Sequence, residues 1–113
     1  MTPRERLEQA AAGLVYTSEG DAPFEWVELA EAPGGAREVT LERFFAGHIE
    51  ESDPNDPASQ ALVERYRSLR ETLRETFPDI RVFRVGEVEI RCYLVGRAPG
   101  GGLAGLATTA WES

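Results

Sequence analysis

Leu7, Ala10, Ala11, Leu14 and Val15 fall at the three- and four-residue intervals of one helix face, and Pro3 suits a first helical turn. The spacing predicts an amphipathic helix from Pro3 to Tyr16, slightly weakened by Gly13. The period then changes. Phe24, Glu25, Trp26, Val27, Glu28 and Leu29 alternate apolar with acidic positions, as in a strand with one wet face, which the Ala32–Ala36 loop ends. Leu41, Phe44 and Phe45 share one face of a short helix that Thr40 caps and Gly47 stops. A proline-studded acidic loop from Glu50 to Pro57 follows, and Pro57 opens a long helix with Leu62, Tyr66, Leu69, Leu73 and Phe77 on its stripe, ended by Pro78. Ile80–Val85 and Val88–Val95, joined across Gly86, read as a hairpin, and Leu103–Trp111 after a Gly/Pro-rich loop reads as the last strand. The order helix, strand, helix, helix and three strands predicts an α+β fold with about four, mostly antiparallel, strands.

Between the first helix and the first strand, Thr17–Trp26 sets Glu19 and Asp21, with Gly20 and Pro23, ahead of an aromatic strand start. We expect a rigid turn whose carboxylates point at water. Such a feature suits a basic or metal-bearing partner.

Composition narrows the setting. With 113 residues and 42% apolar content, the chain fits one domain over residues 1–113 with a core that needs no staples. No apolar run is long enough to cross a bilayer, and Met1–Arg6 leads into alternating charge rather than a secretory segment, so the cytosol is the expected compartment. Net charge is -8, concentrated toward the N-terminus: up to Val63 there are 13 Asp/Glu against 4 Arg, and from Glu64 onward 7 against 8. Such a surface repels nucleic acid and favours encounters with basic proteins. Every basic side chain is arginine, from which no functional conclusion follows.

Chemistry-bearing groups are few. Cys92 is the single cysteine and His48 the single histidine, so disulfides, zinc clusters and thiol relays have nothing to build on. Cys92 lies in a strand and is expected to be a small buried hydrophobe. His48, beside Gly47, is expected in a loop. The pairs Glu19/Asp21 and Glu87/Glu89 could do acid–base work, yet acidic pairs on strands and turns are ordinarily solvated. Gly100–Gly102 lacks the helix N-terminus of a phosphate cradle, and the Glu50–Asp56 loop lacks the spacing and glycine of a calcium loop. We expect Trp111 to be buried.

The acidic turn, the acidic loop and the C-terminal stretch sit in a recognisable order. Gly13-Leu14, Ser18-Glu19, Pro23-Phe24-Glu25, Phe44-Phe45, Val82-Phe83-Arg84-Val85-Gly86-Glu87-Val88-Glu89, Tyr93-Leu94-Val95-Gly96 and Leu103-Ala104-Gly105 through to Glu112-Ser113 together resemble the nuclease A inhibitor family. These are small acidic proteins that block sugar-non-specific DNA/RNA nucleases of the ββα-metal class. The resemblance implies a three-layer α/β/α sandwich, similar to pathogenesis-related PR-1 proteins, with helices on both faces of the sheet. It also implies that a glutamate of the Ser-Glu turn and the C-terminal residue enter the nuclease active site near its magnesium; by position these are Glu19 and Ser113. Asp21 and Glu112 would support them, and Glu50, Glu51, Asp53 and Asp56 would form a weaker second contact. The family carries an aromatic in its acidic mid-chain loop where this chain has Pro54, and the loop before Phe44-Phe45 is shorter here.

The resulting expectation is a monomeric, non-enzymatic nuclease inhibitor with no cofactor and no metal of its own, binding neither nucleic acid nor membrane. The alternative is a protein-binding module of the same fold with a different basic partner. The turn and Ser113 are expected close together in space.

Overall fold

The computed structural model describes residues 1–50 and 53–112; Glu51 and Ser113, both expected at the partner surface, lie outside them.

The first helix, α1 (Pro3–Ala11), is capped by Thr2, whose side chain accepts the Glu5 N–H at 3.0 Å. It ends five residues before the expected Tyr16. Gly13 takes a φ of +76°, a left-handed turn that glycine adopts without steric cost. Beyond it, Val15–Thr17 are β-branched and aromatic residues that favour extended backbone, and they form strand β1. This strand pairs antiparallel with β2 (Asp21–Pro23), a two-stranded hairpin that the helical spacing of Leu14 and Val15 had masked.

Strands β3 (Glu25–Leu29), β4 (Arg37–Val39), β5 (Arg81–Val85), β6 (Glu89–Arg97) and β7 (Leu103–Trp111) form an antiparallel sheet in the order β3-β7-β6-β5-β4. Five strands stand where about four were expected. The addition is β4, too short and charged to show an alternation. The hairpin across Gly86 and the last strand are as predicted: Val85 faces Arg91, and β7 pairs with β6 from Leu103 to Trp111.

Helix α2 (Leu41–Glu50) follows Thr40, whose hydroxyl accepts the Arg43 N–H at 3.1 Å. Gly47 does not stop it. One glycine weakens a helix by about 1 kcal/mol, and the next turn buries Ile49, which offsets that loss. His48 is therefore helical, not in a loop. Helix α3 (Pro57–Thr76) is capped by Asp56, whose carboxylate accepts the Ala58 N–H at 3.0 Å. Its stripe is Val63, Tyr66, Leu69 and Leu73, with Phe77 just beyond. Leu62, expected on that stripe, is 48% exposed while Val63 is 5% exposed.

Residues of all three helices share one core with one face of the sheet: Leu7, Phe45, Leu69 and Leu73 pack with Val82, Ile90, Cys92, Leu94, Ala104, Leu106 and Ala110. The shortest extent, 20 Å, accommodates a sheet and one helical layer. The described helices thus form two layers with the sheet, in contrast to the three-layer sandwich with helices on both faces that the resemblance implied. Phe83, Val95 and Ala107 on the reverse face are buried all the same. Arginine guanidinium groups lie over aromatic rings of this face: Arg81, paired with Glu38, is 5.0 Å from the Phe83 ring centre, and Arg91, paired with Glu25, is 5.8 Å from that of Tyr93.

Candidate functional site

The turn between β1 and β2 holds itself and is held from both sides. Within it, the Ser18 N–H donates to the Gly20 carbonyl at 2.9 Å. Toward the sheet, the Ser18 hydroxyl accepts the Trp111 N–H at 2.9 Å, and the Glu19 N–H donates to the Trp111 carbonyl at 3.2 Å. The buried Thr108 hydroxyl donates to the Ala22 carbonyl at 3.2 Å. Gly20 lies against the half-buried Trp111 indole, where a β-carbon would stand 2.9 Å from Cε3. The expectation of a buried Trp111 is met only in part, because Gly20 covers one face of the ring.

Toward the helices, the hairpin rests on an aromatic cluster. The Tyr16 ring stacks on Phe44 at 4.4 Å and on His48 at 4.5 Å between ring centres, and its hydroxyl donates to the Phe44 carbonyl at 3.2 Å. The Tyr66 hydroxyl donates to the Val15 carbonyl at 2.6 Å. His48 Nε2 accepts the Thr17 N–H at 2.9 Å. Burial pushes both phenols above their ordinary value. Backbone hydrogen bonds and ring contacts thus hold the segment while Glu19 and Asp21 are exposed at its tip.

Glu112 extends this corner by one residue past Trp111. Its N–H donates to the Val88 carbonyl at 2.9 Å, tying β7 to the β5–β6 turn. Its carboxylate accepts from Arg84 at 2.8 Å, so its charge is partly compensated within the chain. Arg84 is on the core face of β5 opposite Cys92, whose thiol burial pushes up. Cys92 is fully buried, as expected of a small hydrophobe. Val88 is 63% exposed beside this corner.

The structure therefore brings Glu19, Asp21 and Glu112 to one corner. The acidic loop differs. Glu50 ends α2 and is exposed, but Asp53 accepts the Asn55 N–H at 2.9 Å and Asp56 caps α3, so both carboxylates shape the loop. Two contributors escaped the sequence reading. Arg84 could have been found from its parity with Val82 on the core face, whereas nothing local marks His48 as an anchor for a strand 31 residues away.

Among the described residues, no group of three or more His, Cys, Asp or Glu side chains is disposed to hold a metal ion. An open cavity of about 850 Å³, lined by Ala30, Arg81, Phe83, Arg97 and Leu103 among others, lies at the opposite end of β7. What the corner offers chemically is a set of exposed carboxylates on a braced backbone.

The profile of the family described as nuclease A inhibitor-like protein matches residues 33–113. That span runs from before β4 to Ser113, and it begins after the acidic turn. No curated protein matches the chain.

Proposed function

The chain belongs to the nuclease A inhibitor-like family, and from that membership we propose that it is a non-enzymatic, cytosolic protein inhibitor of a sugar-non-specific DNA/RNA nuclease of the ββα-metal class. The carrying observation is the pair of hydrogen bonds between the acidic turn and Trp111, which supports a single contact surface made of Glu19, Asp21, Glu112 and Ser113.

A nuclease cleft built for phosphodiesters is basic and holds a hard cation that takes oxygen ligands. Carboxylates offered to that cleft occupy the places of phosphate oxygens without presenting a bond to cleave. Glu19 and Ser113 take this role near the nuclease magnesium. Asp21 and Glu112 add to the field, and Glu50, Glu51, Asp53 and Asp56 form a weaker acidic contact. The net charge of -8 accelerates encounter with a basic cleft, more so at low salt. Bracing of the turn before binding reduces the ordering cost of association.

The test is digestion of DNA by such a nuclease at increasing molar ratios of this protein. Stoichiometric, salt-sensitive loss of cleavage is the expected result, weakened by Glu19→Gln and by a peptide extension fused to Ser113. Undiminished digestion by the host's own nuclease at tenfold excess of protein would overturn the reading. Full inhibition by the extended protein would remove Ser113 from it.

A further inference from the structure

His48 touches the hairpin in a way that fixes its own protonation state. The Thr17 backbone N–H donates to its Nε2 at 2.9 Å. A backbone amide only donates, so Nε2 must present a lone pair and the ring proton sits on Nδ1. The ring is held for this bond by stacking on Tyr16, with 4.5 Å between centres, and by an edge contact with Tyr66 at 4.8 Å. Thr17 is the last residue of β1 before the turn and faces Asp21 across the hairpin. The bond therefore acts one residue from Ser18, where the sheet takes hold on the other side.

We propose that His48 is a positioning residue that holds the Ser18–Asp21 turn in its binding shape only while its imidazole is neutral, so that proton uptake loosens the turn and weakens nuclease binding. Protonated Nε2 carries a hydrogen, and two donors then face each other across a contact made for one. The tie is lost and the Thr17 side of the turn is loosened, while the bonds to Trp111 on the other side remain.

Charged groups approach this contact from several elements. On its own helix, His48 lies in the last turn of α2, where the helix dipole favours the cation, with Glu50 two residues on. From β2, Asp21 acts on the Tyr66 phenol, and from the end of β7, Glu112 acts on the Tyr16 phenol. Arg65 of α3 and Arg84 of β5 act on the same two phenols with opposite sign. Tyr16 and Tyr66 themselves stay neutral throughout. The Thr17 amide dipole, pointing at Nε2, opposes proton uptake.

This inference rests on the nuclease reading for its consequence and not for its geometry, so the experiment has two arms. In the free protein, the Thr17 and His48 signals are followed by NMR from about pH 8 to about pH 5.5, a range spanning ordinary histidine titration. His48 is the single histidine, so its midpoint is unambiguous. The expected result is a Thr17 amide shift with the midpoint of the His48 ring and loss of Thr17 protection from exchange; His48→Gln, which offers an acceptor that does not titrate, shows neither. A Thr17 amide that stays unmoved while the ring titrates overturns the proposal. In the second arm, the nuclease Kd is measured at both pH values for wild type and for His48→Gln. Wild type should weaken about 5–10-fold more than the variant between them, the worth of one hydrogen bond. Equal weakening overturns the link to binding. A protein that binds no nuclease fails the functional reading, while the first arm still decides the role of His48.

Discussion

The hydroxyl of Ser18 accepts the backbone N–H of Trp111 at 2.9 Å, joining positions 93 residues apart in sequence. The same hydroxyl donates to the Gly20 carbonyl at 3.2 Å, so one side chain both shapes the turn and fastens it to the sheet. Ser18→Ala removes both bonds. We expect a loss of about 1–2 kcal/mol in unfolding free energy by urea titration, accompanied by weaker nuclease inhibition. A variant as stable and as inhibitory as wild type would show that the turn does not depend on this fastening.

Gly20→Ala tests the contact with the indole. The added methyl meets Trp111 Cε3 at 2.9 Å, closer than a carbon can sit, so either the ring or the turn must move. In a Trp26→Phe background, Trp111 emission should shift to the red as the ring gains water. Unchanged emission together with unchanged inhibition would refute the packing described.

The long helix offers a paired comparison. Leu69→Ala should cost about 2–5 kcal/mol, since Leu69 is fully buried against the sheet. Leu62→Ala, beside Val63 but turned out of the core stripe and 48% exposed, should change stability by no more than about 0.5 kcal/mol. Thermal or urea unfolding of the two variants reads the difference directly, and equal losses would contradict the register of α3.

Alkaline pH tests the aromatic support. Burial raises the phenols of Tyr16 and Tyr66 above their ordinary value of 10.0. The folded state thus favours the protonated phenols; their contribution is whole below the free phenol range and is lost as pH rises through the raised folded values. Unfolding free energy should fall between about pH 9 and about pH 12. Tyr66→Phe should lower stability at neutral pH, because the bond to the Val15 carbonyl is lost, but show a shallower alkaline decline. An identical decline in wild type, Tyr66→Phe and Tyr16→Phe would place the alkaline sensitivity elsewhere.

What the sequence displayed follows from how strongly each element repeats its period. Helix α3 and strands β5 to β7 carry long, well-bounded patterns, and all were legible to within a few residues. The β1–β2 hairpin was not, because Leu14 and Val15 satisfy the helical spacing as well as the extended one, and the decisive signal was the backbone of Gly13. Layering was hidden for a different reason. Val82-Phe83 and Leu94-Val95 are apolar on both sides of the sheet, a pattern that helices on two faces would explain. Here the guanidinium groups of Arg81 and Arg91 lie over the Phe83 and Tyr93 rings of the second face instead. The site divides the same way: Glu19 and Asp21 stand out as acid in a rigid turn, whereas the bond from Trp111 depends on strand order, which no local pattern encodes.

That strand order governs when the molecule can begin to act. β7 lies between β3 and β6, yet of the described strands it comes last in sequence. During synthesis β3 waits without a neighbour, and β6 has only one side paired, until residues 103–111 have left the ribosome. The Ser18–Asp21 turn waits with them, since Trp111 is what it grips. Assembly is therefore governed by the most distant pairings, with unsatisfied strand edges exposed until late. A nascent chain has its acidic turn early but its braced corner only once residues 103–111 have paired, so capacity to bind should switch on in one step, at the completion of the sheet, rather than accumulate as the chain lengthens.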